Sequence, residues 1–240
     1  MCGRFVQLTP PAALAALFGV DPALSPLPNV PARYNAAPTQ DLMVVRRNPE
    51  TGRRHLDLLR WGLVPSFAKG PSGGASLINA RSETVADKPT FRAAWRARRR
   101  CIVPADAFYE WKAVDKWRQP FVISRADGSP MSFAGLWDGW KDPGTGQWLR
   151  TFTILTCPAT ERLRPLHERM PVILPDTDIS AWLEGEEGAA LMHSYPGEGL
   201  RLTPVSTDVN SVRNEGPNLV EPLPPDEAAA AAALLAPSAV

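Results

Sequence analysis

The chain has 240 residues, 44% of them hydrophobic, with 26 Lys+Arg against 25 Asp+Glu for a net charge of +1. That composition excludes global disorder and suits one domain with a substantial core. Cys2, Cys101 and Cys157 form no CxxC pair and His55, His167 and His193 show no ligand spacing, so neither a metal, a cofactor nor a disulfide framework is expected.

A short strand is predicted over residues 2–8 and a helix over 11–18. A proline-rich stretch (Pro22, Pro26, Pro28, Pro31) leads to Tyr34-Asn35-Ala36-Ala37-Pro38, read as loop. Residues 42–47 and 55–61 read as paired strands around a turn at 48–52. Three glycines with proline and serine over 69–75 predict a mobile surface loop. Thr90 is the expected N-cap of a short helix reaching Arg98, with Phe91 and Trp95 one turn apart on one face. Strand-like runs follow at 101–111, 120–125, 131–137 and 148–156, then helices at 176–183 and 186–193. Residues 1–223 read as one domain and 224–240 as a Pro/Ala-rich tail with a partly helical alanine run. The expected fold class is α+β, a single β-rich domain that is mostly antiparallel with peripheral helices. The N-terminus carries no charged lead followed by an apolar run, and no stretch approaches membrane-spanning length; a cytoplasmic protein with no membrane partner is the expectation.

The most informative residue is Cys2, in Met1-Cys2-Gly3-Arg4-Phe5. Cysteine is small enough for methionine aminopeptidase to remove Met1, which leaves an α-amine and a thiol on adjacent carbons. The amine can serve as base for the thiol, or condense with an aldehyde so that the thiol closes the imine to a thiazolidine. With a reference pKa of about 7.7–8.0, roughly a tenth or more of the amine is neutral at pH 7. A thiol that merely sits near a frayed terminus is the competing reading.

Four further segments combine polar groups with turn-forming or aromatic neighbours: Trp61-Gly62-Leu63-Val64-Pro65, Ile78-Asn79-Ala80-Arg81-Ser82-Glu83-Thr84, Phe108-Tyr109-Glu110-Trp111-Lys112 and Leu166-His167-Glu168-Arg169-Met170-Pro171. With the opening motif and Tyr34-Asn35-Ala36-Ala37-Pro38 they resemble, in order and spacing, the SOS-response-associated peptidase (SRAP) family, from residue 2 to about 223. The resemblance implies a barrel-like sheet core and a monomer that senses abasic sites in single-stranded DNA, crosslinks to them through Cys2 and is nucleoid-associated when bound. It also implies thiol autopeptidase and abasic-site lyase activity. Its active-site positions fall on Cys2, Asn79, Glu110 and His167. Arg4, Arg81 and Arg169 match basic DNA-contact positions, Asn35 and Pro38 a loop facing DNA, Thr156 a polar strand contact, and Trp111 a further contact; Phe67 is the expected stacking wedge.

Residue chemistry runs parallel to the resemblance. His167 has a reference pKa of about 6.5, suited to proton transfer near neutrality. Glu110 between two aromatics has surroundings that would raise its pKa, and Asn79 offers both a donor and an acceptor. Each also has a structural reading: a solvent-facing strand glutamate, a loop histidine, a turn-capping asparagine. Cys101 and Cys157 read as inert core thiols. Charge is uneven, with 18 Lys+Arg against 9 Asp+Glu in residues 1–120 and 8 against 16 in 121–240. The run Arg92, Arg96, Arg98, Arg99, Arg100 reads first as a solvated face, and it also permits a basic groove. The alternative function is an N-terminal-nucleophile cysteine hydrolase, of glutamine amidotransferase or peptidase type.

Overall fold

The computed structural model describes residues 2–185 and 188–236. In chain order the elements are β1 (Phe5–Gln7), α1 (Pro11–Phe18), β2 (Arg33–Ala36), β3 (Asp41–Arg47), β4 (Arg54–Trp61), β5 (Asn79–Arg81), α2 (Pro89–Arg96), β6 (Arg100–Ala105), β7 (Ala107–Val114), β8 (Trp117–Arg125), β9 (Met131–Lys141), β10 (Trp148–Pro158), β11 (Arg169–Pro171), β12 (Ile173–Leu174), α3 (Ile179–Glu184), β13 (Leu200–Pro204) and α4 (Pro225–Ala233).

Strands β4, β3, β6, β9 and β10 close into a five-membered ring. An odd ring is incompatible with antiparallel pairing at every joint, and the one parallel joint is β4 with β10, Arg60 opposite Thr151 and Trp61 opposite Phe152. A second sheet, in the order β13-β8-β7-β1-β2, lies against this barrel. Aromatic rings join the two: Phe5 of β1 meets Trp61 edge-on at 5.1 Å and Phe133 at 6.3 Å, and Phe108 of β7 meets Phe133 at 5.8 Å. Edge-to-face pairs of this kind add to the area that the rings bury. The fold class is the α+β, β-rich barrel expected.

Local readings met different fates. The helix at Pro11–Phe18 and the paired strands β3 and β4 form as predicted. The 101–111 run is two strands, because the chain leaves the barrel after β6 and enters the second sheet at β7. Asp106 marks the crossing and binds the end of β1, accepting from the Leu8 and Thr9 amides at 2.5 and 3.0 Å. The segment 34–38, read as loop, is strand β2 up to Ala36. The glycine-rich segment, read as a loop, forms a 3-10 turn at Pro71–Ser76. Gly74 within it lies against the backbone of Gly62 (φ +119°), where a side chain on either would collide with the other's carbonyl. Helix α2 begins after Lys88, so Thr90 is not its cap, although Phe91 and Trp95 do face inward. In place of a helix at 186–193 there is a 3-10 turn at Gly188–Leu191; residues 186 and 187 lie outside the described part. Strand β13 carries no signal that was read in the sequence. Helix α4, with Asp226 and Glu227 in its first turn, buries Ala231; residues 237–240 of the tail are outside the described part. Among the described residues no helix is long and apolar enough to cross a membrane.

Candidate active site and nucleic-acid interface

Strand β1 pairs antiparallel with β7 (Phe5 opposite Phe108), and the Tyr109 amide donates to the Arg4 carbonyl at 3.0 Å. This ladder carries Cys2 alongside Glu110. Cys2 is fully buried, and burial first, then the Glu110 carboxylate, push its thiol pKa up. Glu110 is itself buried, which raises its carboxyl above the ordinary range.

Asn79 arrives from the barrel side. Strand β5 runs parallel to β10 with Asn79 opposite Ile154, and Asn79 Nδ2 donates to the Cys2 carbonyl at 2.8 Å. The amide oxygen Oδ1 is buried, with no hydrogen-bond partner among the described residues. A buried acceptor left open costs free energy unless a donor arrives.

His167 lies in the turn before β11, which pairs with β10 on the edge opposite β5. Lys112, two residues beyond Glu110, donates from Nζ to the Pro165 carbonyl at 3.0 Å and fastens that turn to β7. The Arg169 amide donates to His167 Nδ1 at 2.9 Å. An amide pointing at Nδ1 keeps the neutral ring's proton on Nε2. Burial pulls the His167 pKa down, which favours that neutral ring. Cys2, Glu110 and Asn79 therefore meet from β1, β7 and β5, and His167 lies on the β10–β11 turn that Lys112 ties to β7. Among the described residues no three His, Cys, Asp or Glu side chains gather as a metal site. A cavity of about 770 Å³ borders Lys112 and Pro165 but includes none of the four.

The basic residues divide into held and open. Arg4 Nη1 donates to Asn35 Oδ1 at 2.8 Å and to the Val209 carbonyl at 2.9 Å, and Nη2 to the Asn210 carbonyl at 3.3 Å. Asn210 also accepts from Trp111 Nε1 at 2.6 Å. Arg169 pairs with both oxygens of Glu83, at 2.6 and 2.9 Å, and reaches the Thr156 carbonyl and hydroxyl. Arg81 is exposed at the end of β5, and its guanidinium has no partner among the described residues. Phe67 is 64% exposed on the loop after β4, and Pro38 is half-buried just past β2.

The SOS response associated peptidase (SRAP) family model matches residues 1–212. The chain belongs to the SRAP family. The chain is 37% identical over 227 residues to abasic site processing protein YoqW of Bacillus subtilis, covering 92% of this chain and 99% of that one. To YedK of Escherichia coli it is 33% identical over 232 residues, covering 93% and 100%, and to HMCES of Xenopus tropicalis 32% over 214 residues, covering 77% and 64%; both bear the same descriptive name. A crystal structure of a Bordetella bronchiseptica protein superposes with TM-score 0.73 at 29% identity, covering 85% of this chain and all of that one.

Within this SRAP domain three of the expected contact residues are engaged inside the protein. Asn35 is not on a loop facing outward. It is fully buried on β2, and its Nδ2 donates to the carbonyls of Ser211 and Asn214 at 2.9 and 3.0 Å, so it orders the 207–215 segment around Arg4. Thr156 is fully buried on β10 and accepts from Arg169. Arg169 is not an open cation, because Glu83 occupies its fork. Two residues inside the motifs had been given no role: Glu83, which pairs with Arg169, and Lys112, which ties the His167 turn down. A carboxylate two residues after an exposed arginine, and a lysine two residues after Glu110 on the same strand face, were the available signals. The basic run 92–100 also divides: Arg100 is buried between Trp95 and Trp182, each ring at 5.2 Å, and donates to the Trp182 and Gly185 carbonyls, whereas Arg92, Arg96 and Arg98 are exposed.

Proposed function

We propose that this protein processes abasic sites in single-stranded DNA during the SOS response by forming a covalent thiazolidine through Cys2 once Met1 has been removed. The observation that carries the reading is the hydrogen bond from Asn79 to the Cys2 carbonyl, made beside Glu110, with Asn79 Oδ1 left without a partner among the described residues. An amide oxygen can accept an N–H of the freed α-amine. The names of the relatives in three genera point to the same lesion.

The chemistry follows from the positions. The closed sugar opens as its ring C–O bond breaks; His167 presents Nε2–H to the ring oxygen, and the C1 hydroxyl proton passes through water to that oxygen. Glu110 takes a proton from the α-ammonium. The neutral amine attacks the aldehyde carbon and water leaves, forming an imine. Cys2 Sγ then adds to the imine carbon while the thiol proton passes to nitrogen. In sum, one aldehyde and one aminothiol give one thiazolidine and one water. Burial keeps the thiol protonated at rest, so the amine acts first.

The test is incubation of protein lacking Met1 with abasic, uracil-containing and intact oligonucleotides. A heat-stable band on denaturing gels is expected with the abasic strand alone, its mass the sum of both components less one water. Equal bands with all three strands, or none with the abasic one, would reject the proposal.

A further inference from the structure

The hairpin of β9 and β10 extends past the barrel and carries features that the site above does not use. Its register places Lys141 opposite Trp148 and Gly139 opposite Arg150, so these four positions share one face. Gly139 has no side chain, and the edge of the Trp148 ring lies over it, 3.3 Å from where a Cβ would stand. The result is a trough of about 370 Å³ lined by Ser66, Arg99, Trp137, Lys141, Trp148 and Arg150, together with Glu50.

The trough combines cations with an open aromatic ring. Trp148 is 62% exposed, unusual for a tryptophan unless the ring has a partner to meet. Two of the nearby arginines have acidic partners: Arg46 pairs with Asp57 at 2.7 Å and Arg99 with buried Asp138, and both guanidiniums lie over Trp137, at 4.5 and 5.7 Å. Lys141 and Arg150 are exposed and have no acidic partner among the described residues.

Strand β10 links this trough to the site, running from Arg150 to Thr156, opposite Arg81. Six residues at about 3.3 Å each make roughly 20 Å of strand. The loop after β4 follows the same line. The Val64 amide donates to Thr151 Oγ1 at 2.8 Å, the Ser66 amide to Asp138 at 3.2 Å, and Trp140 Nε1 to the Ala68 carbonyl at 2.7 Å. Phe67 stands between the last two anchors.

We propose that this trough is a second nucleic-acid contact surface, taking an unpaired stretch of the strand that flanks the lesion: Trp148 stacks on a base, and Lys141 and Arg150 neutralise phosphates. A ring beside unpaired cations is the combination that holds single strands without reading sequence. An acidic peptide would use the cations and leave Trp148 idle. The inference rests on the proposed DNA function, and the experiment separates the two.

Fluorescence anisotropy would compare the parent, Trp148→Ala, Trp148→Phe and Lys141→Gln/Arg150→Gln on abasic and intact single strands of about 4 and about 16 nucleotides, the limits of typical single-strand sites. On the longer strands Trp148→Ala should weaken binding by about 5- to 150-fold, the equivalent of one stacked base. Trp148→Phe should recover most of that loss. The double charge variant should flatten the slope of log K against log salt by about 1.4, at about 0.7 per phosphate. Binding to the short abasic strand, and crosslinking at saturating DNA, should be unchanged. Equal affinity of parent and variants for the longer strands would overturn the proposal, as would equal losses on short and long strands. Displacement of the strand by polyglutamate with no effect of Trp148→Ala would assign the trough to acidic protein and overturn it too. A parent that binds long intact strands through Trp148 yet never crosslinks abasic DNA would instead reject the function proposed above.

Discussion

Glu83 holds both terminal nitrogens of Arg169, at 2.6 and 2.9 Å, and the backbone amide of Arg169 in turn points at His167 Nδ1 from 2.9 Å. The carboxylate thus acts on the histidine at second hand, by fixing the start of β11. The pair also holds the Glu83 carboxyl down to about 2, from an ordinary 4.5, chiefly through the hydrogen bonds from Arg169.

Glu83→Gln is therefore expected to change both stability and the pH response. A lowered folded-state pKa contributes stability above the ordinary value that is lost as pH falls from 4.5 toward about 2. The variant should lack that part of the acid sensitivity and lose about 1 kcal/mol or less at neutral pH, because the pair is partly exposed. Thermal melts from pH 2 to 7 measure this. The crosslinking pH profile should shift through the histidine; a profile identical to the parent's would limit Glu83 to a structural role.

Cys2→Ala should abolish the heat-stable adduct and leave noncovalent binding to abasic DNA largely intact. An alanine terminus keeps its amine, so a transient imine still forms and borohydride should trap it. A reductant-free, heat-stable adduct from this variant would show that ring closure by sulfur is not the linkage.

Glu110→Gln should slow adduct formation by about 10²–10⁴-fold near neutrality, the usual contribution of a positioned acid or base. The defect should shrink at alkaline pH, as the α-amine passes its own pKa of about 7.7–8.0 and needs no base. Stability has its own sign. Burial raises the Glu110 pKa, so its contribution is complete below the unfolded value and falls as pH rises through the folded one. The melting temperature of the variant should then decline less than the parent's over that interval. Single-turnover crosslinking and melts against pH test both halves, and a defect that grows with pH would remove Glu110 as the base.

Arg4 and Arg81 should behave differently although both were read as phosphate contacts. Arg4→Ala removes three hydrogen bonds that tie β1 to Asn35 and to the Val209–Asn210 carbonyls, at a cost of about 1–3 kcal/mol for the stranded partners. Arg81→Ala should leave stability within about 0.5 kcal/mol and reduce the salt slope for single-stranded DNA by about 0.7. Denaturant melts and salt titrations distinguish them. An unchanged slope for Arg81→Ala would place the phosphates elsewhere.

Position in the chain and short-range pattern carried much of the site. Cys2 is informative because removal of Met1 alone would make it an aminothiol, and Asn79, Glu110 and His167 sit in short motifs whose residue types suit proton transfer. The Pro11–Phe18 helix and the β3–β4 pair were legible because their signals lie within a few residues. Pairing across the chain decided the rest. Asn79 reaches Cys2 over 77 positions, Glu83 reaches Arg169 over 86, and Arg4 reaches the Val209 carbonyl over 205. Asn35 looked like an outward loop residue because nothing near it in sequence announces the carbonyls of Ser211 and Asn214 that bury it. An arginine's sequence neighbours tell its charge but not which carboxylate or carbonyl meets it. That is settled by the closed barrel, whose strand register places β5 and β11 on either side of β10.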